Sequence, residues 1–150
     1  MAEFPHERLC REIVDGAPDA IVFADRDGVI RLWNAGAEAM FGFTAEEAIG
    51  KSMDVIIPER LRPRHWEGYS KTMETGTSRY GSGDLLAVPA VRKDGATISI
   101  EFTIQMLKDS DGRISGAVAT IRDQTKRFQR EKEQAQRLKA LEARLRDDER

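Results

Sequence analysis

His65 has the widest chemical scope of any residue in this chain. The sequence holds only two histidines, and the other, His6, sits beside a proline near the amino terminus. His65 lies in the run Ile57-Pro58-Glu59-Arg60-Leu61-Arg62-Pro63-Arg64-His65-Trp66-Glu67-Gly68-Tyr69. An imidazole is a metal donor and a proton acceptor near neutral pH. It is equally an ordinary surface side chain, and a run rich in arginine and proline suits that plainer role. The cluster Arg60, Arg62 and Arg64 reads as a solvated helix start or as cations waiting for an acidic ligand. The other chemistry-bearing residues form no catalytic pattern. The sequence shows no Ser/His/Asp arrangement, no phosphate-cradling glycine loop and no metal-binding cluster, so it does not read as an enzyme. Cys10 is the single cysteine. It cannot form an intrachain disulfide, which fits a reducing compartment, and it reads as a small packing residue.

The elements that position His65 follow from periodicity. Leu61, His65, Tyr69 and Met73 fall four apart, with Trp66 beside them, which predicts a helix over Leu61–Thr75 with these side chains on one face. Gly76 closes it. Before it, Val55-Ile56-Ile57-Pro58 is a short apolar connector. Pro5–Asp15 carries apolar residues at Leu9, Cys10, Ile13 and Val14 and predicts an amphipathic helix ended by Gly16 and Pro18. Ala20–Ala24 and Val29–Trp33 are strands joined by the turn Asp25-Arg26-Asp27-Gly28. Asn34 caps a short helix over Ala35–Phe41, and Thr44-Ala45-Glu46-Glu47 is a capping-box signature opening another. Tyr80–Val91 is a strand with a glycine irregularity at Gly81 and Gly83. Ile98, Ile100, Phe102, Ile104 and Met106 alternate with polar residues, which marks a half-buried strand. A turn over Asp109-Ser110-Asp111-Gly112 leads to a last strand over Ile114–Ile121. Met73 and Met106 read as packing residues.

Bulk properties set the frame. The chain has 150 residues and a net charge of −2, so no global field draws it to nucleic acid or to a membrane surface. No apolar run reaches the ~18 residues of a membrane span, and the first residues resemble no signal peptide. A soluble, cytoplasmic protein is expected. Thr125–Arg150 lacks glycine and proline and is dominated by charged residues, Gln, Ala and Leu, the composition of a long exposed helix. Leu138, Leu141 and Leu145 recur there at coiled-coil spacing, with Ala135 before them. The division expected is an amino-terminal cap helix over 1–16, a sensory domain over 17–124 and a signalling or dimerisation helix over 125–150. The fold class is α+β.

The chain resembles the PAS sensory domain family over roughly Glu12–Thr125. The resemblance rests on Pro18-Asp19-Ala20-Ile21, Asp25-Arg26-Asp27-Gly28, Trp33-Asn34-Ala35 and Met40-Phe41-Gly42-Phe43. It continues through Glu46-Glu47-Ala48-Ile49-Gly50-Lys51, Arg92-Lys93-Asp94-Gly95 and Ile121-Arg122-Asp123-Gln124-Thr125. It implies a five-stranded antiparallel sheet flanked by short helices, with amino-terminal and long carboxy-terminal helices. PAS domains bind haem, flavins or small acids, or bind nothing, so the fold leaves function open. The Asn-Cys-Arg-Phe-Leu run of the light-sensing flavin relatives is missing.

A narrower resemblance is to the haem-binding PAS oxygen and gas sensors, whose iron ligand is a histidine in the long helix after an apolar-Pro step. Ile57-Pro58 and Leu61-Arg62-Pro63-Arg64-His65 look like that motif. The resemblance implies haem b, with His65 as axial iron ligand and Lys71 and Arg79 near the propionates. Tyr69, Leu85, Leu86, Ile98, Ile100, Phe102 and Val118 would line the slot. Where relatives carry a distal arginine or methionine, this chain offers Gly83, Leu85 or Leu86, an apolar wall suited to a diatomic gas. Output would pass by protein–protein contact, through a homodimer and a signalling partner. Two alternatives stand beside it: a cofactor-free dimerisation or adaptor module, and a sensor of a small organic ligand in the same pocket.

Overall fold

The computed structural model describes residues 4–77 and 84–149. The first helix, α1 (His6–Gly16), is followed by strands β1 (Ala20–Asp25) and β2 (Ile30–Trp33). Helices α2 (Ala35–Phe41) and α3 (Ala45–Ala48) come next, then two 3-10 turns, Met53–Ile56 and Glu59–Leu61. Helix α4 (Arg62–Thr75) leads to strands β3 (Leu86–Val91), β4 (Thr97–Lys108) and β5 (Ile114–Asp123), and α5 (Thr125–Asp148) closes the chain. The strands form one antiparallel sheet in the order β2-β1-β5-β4-β3. The fold is the α+β arrangement expected.

Local sequence explains most boundaries. Thr44 caps α3 in a reciprocal capping box with Glu47: the Thr44 hydroxyl accepts from the Glu47 amide, and the Glu47 carboxylate accepts from the Thr44 amide. Asn34 caps α2 by accepting from the Ala37 amide at 3.0 Å. Two expectations change. The apolar connector before Pro58 winds into a 3-10 turn over Met53–Ile56, started by the Ser52 hydroxyl accepting from the Asp54 amide. The strand expected over Tyr80–Val91 is seen from Leu86; Asp84 and Leu85 precede it, and Tyr80, Gly81 and Gly83 lie outside the described residues.

The core lies on one face of the sheet. Cross-strand partners share a face, so Phe102 with Ile121 and Ala20, and Ile104 with Ala119, Val22 and Trp33, form rows on the same side. Helices α2 and α3 cover that side with Ala37, Phe41 and Ala48, all fully buried. Phe41 packs at 5.4 Å from Trp33, whose indole N–H donates to the Phe43 carbonyl. Burial of Phe41 and Ile30 stabilises the fold by about 1.5–3 kcal/mol each. Asn34, 3% exposed, ties three elements together. Its amide oxygen also accepts from the Ile21 amide, and its nitrogen donates to the carbonyls of Val14 and Asp19.

Candidate functional site

The residues of interest gather on α4 and on the turn between β1 and β2. Pro63 sits in the first turn of α4, where its missing N–H costs nothing. From this helix His65, Trp66 and Tyr69 project as a ring cluster. The His65 ring stacks on Tyr69 at 5.8 Å and meets Trp66 edge-on at 4.7 Å. The Tyr69 hydroxyl donates to the Asp25 carbonyl at 2.5 Å, which fastens α4 to the end of β1. The Trp66 indole N–H donates to the Asp54 carboxylate at 2.6 Å. Arg62 donates to the carbonyls of Ile57 and Asp54, and Arg26 donates from the β1–β2 turn to the Met73 and Ile114 carbonyls. Both ends of α4 are thereby strapped to the rest of the domain. Gly28, in that turn, leaves the room that the Trp66 indole occupies.

Electrostatics follow from burial. His65 is half-buried, and its Nδ1 is buried with no hydrogen-bond partner among the described residues. Burial holds its pKa below the ordinary value of 6.5, against an opposing pull from Asp54. Burial, helped by Asp25 and Asp27, pushes the Tyr69 hydroxyl up to about 12. The cluster thus keeps a neutral imidazole and a protonated phenol at neutral pH. A neutral imidazole with a free buried nitrogen can donate to or accept from a small polar ligand, or coordinate a metal.

The residues expected around a haem slot separate in the structure. Ile98 and Ile100 are buried in the core, and Phe102 and Leu86 pair on the same face. Val118 does not join them. It pairs with Gln105 and Phe23, which places it on the opposite face, because side chains alternate along a strand. Leu85 precedes β3 and is 64% exposed. Lys71 is exposed, and six residues from His65 on a helix is about 120° away around the axis, so it does not share the His65 face. Arg79 lies outside the described residues. As a set for haem, these side chains do not fit at Lys71, Leu85 and Val118, and at His65 the structure offers only a half-buried imidazole. Among the described residues no group of three or more His, Cys, Asp or Glu is arranged to hold a metal ion. Periodicity in the sequence missed the groups that fasten α4 to the rest of the domain. Asp54 and Arg26 act through long-range contacts, and Asp25-Arg26-Asp27-Gly28 signals only a turn.

Comparison with known proteins agrees with this architecture. A family model described as the PAS fold matches residues 14–129. The sensor protein FixL of Bradyrhizobium diazoefficiens is 33% identical over 98 residues, covering 65% of this chain and 19% of that protein. The oxygen sensor protein DosP of Escherichia coli is 31% identical over 104 residues, covering 69% of this chain and 12% of that protein. This chain therefore spans no more than a fifth of these curated relatives. Among solved structures, a PAS domain from Colwellia psychrerythraea superposes with a TM-score of 0.68 at 23% identity, covering 81% of this chain and 99% of that one. No helix of the described residues is long and apolar enough to cross a membrane. The sheet order, the capped short helices and the family match converge on one assignment: this chain belongs to the PAS-fold family.

Proposed function

We propose that this chain is a sensory PAS module that works without a cofactor, as a dimerisation and adaptor domain whose output is protein–protein contact. One observation carries the reading. Helices α1 and α5 flank the domain, neither has a buried residue, and both present apolar side chains to solvent: Leu9 and Ile13 on α1, Phe128, Leu138, Leu141 and Leu145 on α5. Apolar stripes on terminal helices fit a helical partner better than they fit water. The strapped α4 supports the same reading, since Tyr69 and Trp66 close it onto the β1–β2 turn and Asp54 with the chain's own groups. The test combines two measurements on the purified full chain. A colourless protein that forms a dimer or captures a helical partner, and loses both with Ile13→Asp plus Leu141→Asp, is the expected result. A monomer that binds nothing at any concentration overturns the reading.

A second reading is haem-based sensing of a diatomic gas. It is favoured by the unpartnered, buried Nδ1 of His65 and by similarity to a relative named as an oxygen sensor. Haem would supply an iron whose sixth position is open to a small neutral ligand. His65 would be its protein donor, Tyr69 would orient the imidazole by stacking, and Phe102 and Leu86 would exclude water from the sheet side. A Soret band after addition of haem, lost in His65→Ala, would establish it. A small organic ligand in place of haem would appear as added mass in native mass spectrometry.

A further inference from the structure

We infer, resting on the dimerising role proposed above, that the carboxy-terminal part of α5 pairs with the same segment of a second copy of this chain, parallel and in register. Leu138, Leu141 and Leu145 are 59%, 56% and 62% exposed. Their spacing of three then four is the a-d-a spacing of a coiled coil. With Leu138 at a, the flanking g positions are Arg137 and Arg144, and the e positions are Glu142 and Glu149.

That charge order selects one partner geometry. In a parallel, in-register pair, each g residue faces the e residue five positions further along the other helix. Arg137 then faces Glu142 of the second copy, and Arg144 faces Glu149 of the second copy. The two-fold axis repeats both contacts on the other side of the seam. In an antiparallel pair, g faces g and e faces e, so arginines meet arginines and glutamates meet glutamates. Sliding a parallel pair by one heptad removes leucine layers from the seam. Only the parallel, in-register arrangement keeps every leucine layer and puts opposite charges together.

The structure also shows where the pairing begins. Upstream, the corresponding a and d positions are Gln124, Arg127, Glu131 and Gln134, which are polar. Arg127 is already engaged: it donates to the nearly buried Glu101 on β4 and to Gln124. The first turns of α5 therefore belong to their own sheet, and the seam opens past Gln134. The three leucine layers from Leu138 to Leu145 by themselves are few to offset the ordering of the helix, so pairing through them is concentration-dependent.

The test uses the full chain with Cys10→Ser, studied by sedimentation equilibrium. Arg137→Glu is expected to weaken the dimer roughly tenfold, since it sets a carboxylate against Glu142 on both sides of the seam. Adding Glu142→Arg is expected to restore it to within about twofold. Leu141→Cys is expected to give a disulfide-linked dimer on mild oxidation, because symmetric d positions meet across a parallel seam. Circular dichroism confirms that each variant is folded. An unchanged or tighter dimer with Arg137→Glu overturns the inference, as does a dimer that Leu141→Cys cannot cross-link. In those cases dimerisation stands and uses another surface, such as α1. A chain that is monomeric throughout overturns both the inference and the adaptor reading.

Discussion

Trp66 on α4 occupies the space above Gly28 in the β1–β2 turn, so that a Cβ on Gly28 would lie 2.1 Å from the indole ring. Gly28 also has φ +78°, a left-handed conformation that side chains disfavour. One glycine therefore serves the turn and the docking of the long helix at once. Gly28→Ala is expected to cost about 2–4 kcal/mol by adding steric conflict to backbone strain. Urea unfolding monitored by tryptophan fluorescence measures it. Unchanged stability would mean that Trp66 does not sit over the turn.

Asn34 is the second joint. All its polar atoms are used between α1, β1 and α2, and little of it meets solvent. Asn34→Ala strands buried amide donors and carbonyls that it now satisfies, with an expected loss of about 3 kcal/mol or more. Asn34→Asp keeps the accepting oxygen but sets a buried carboxylate oxygen against the Val14 and Asp19 carbonyls, so its cost should equal or exceed that of alanine. Thermal unfolding of the pair gives the order.

Tyr69 predicts behaviour at high pH. Its phenol ionises near 10 in an unfolded chain and near 12 when folded, so the folded state prefers the protonated form. Its contribution is complete below pH ~10 and is lost as pH rises towards ~12. Tyr69→Phe should flatten that alkaline loss and remove the hydrogen bond to the Asp25 carbonyl, worth about 1 kcal/mol at neutral pH. A stability–pH profile of the two proteins tests both effects.

His65 predicts the opposite slope in acid. Its folded pKa lies below the ordinary 6.5, so the folded state prefers the neutral ring. The stability it contributes is complete above pH ~6.5 and falls as pH drops through 6.5 towards the lowered value. His65→Phe removes the titration and the unpartnered Nδ1 while keeping a ring against Tyr69. The variant should be as stable as wild type or more so at about pH 7, and less sensitive as the pH falls below ~6.5. A variant less stable at neutral pH would show that Nδ1 has a partner.

The tie between α5 and the sheet is also testable. Arg127 reaches Glu101, Gln124 donates to Ser99, and the Ser99 amide donates to the Thr125 hydroxyl. Glu101→Gln is expected to speed hydrogen exchange in the first two turns of α5 several-fold, with the sheet amides unchanged. Equal exchange in both proteins would leave the salt bridge without influence on the helix.

Local rules in the sequence determined the elements: the alternation along Ile98–Met106, the capping box at Thr44, the Asn34 cap, the turn at Gly28 and the long polar α5. These depend on periodicity and near neighbours, which a sequence displays directly. The family motifs added the sheet and its covering helices. What Leu85 and Val118 face was decided only by tertiary structure: Val118 changes faces through strand register and Leu85 through where β3 begins. The position of Lys71 off the His65 face, by contrast, follows from its six-residue spacing on the helix. The closure of α4 by Trp66, Tyr69 and Arg26 was likewise invisible, because each contact spans tens of residues and pairs a side chain with a backbone group that carries no sequence signature.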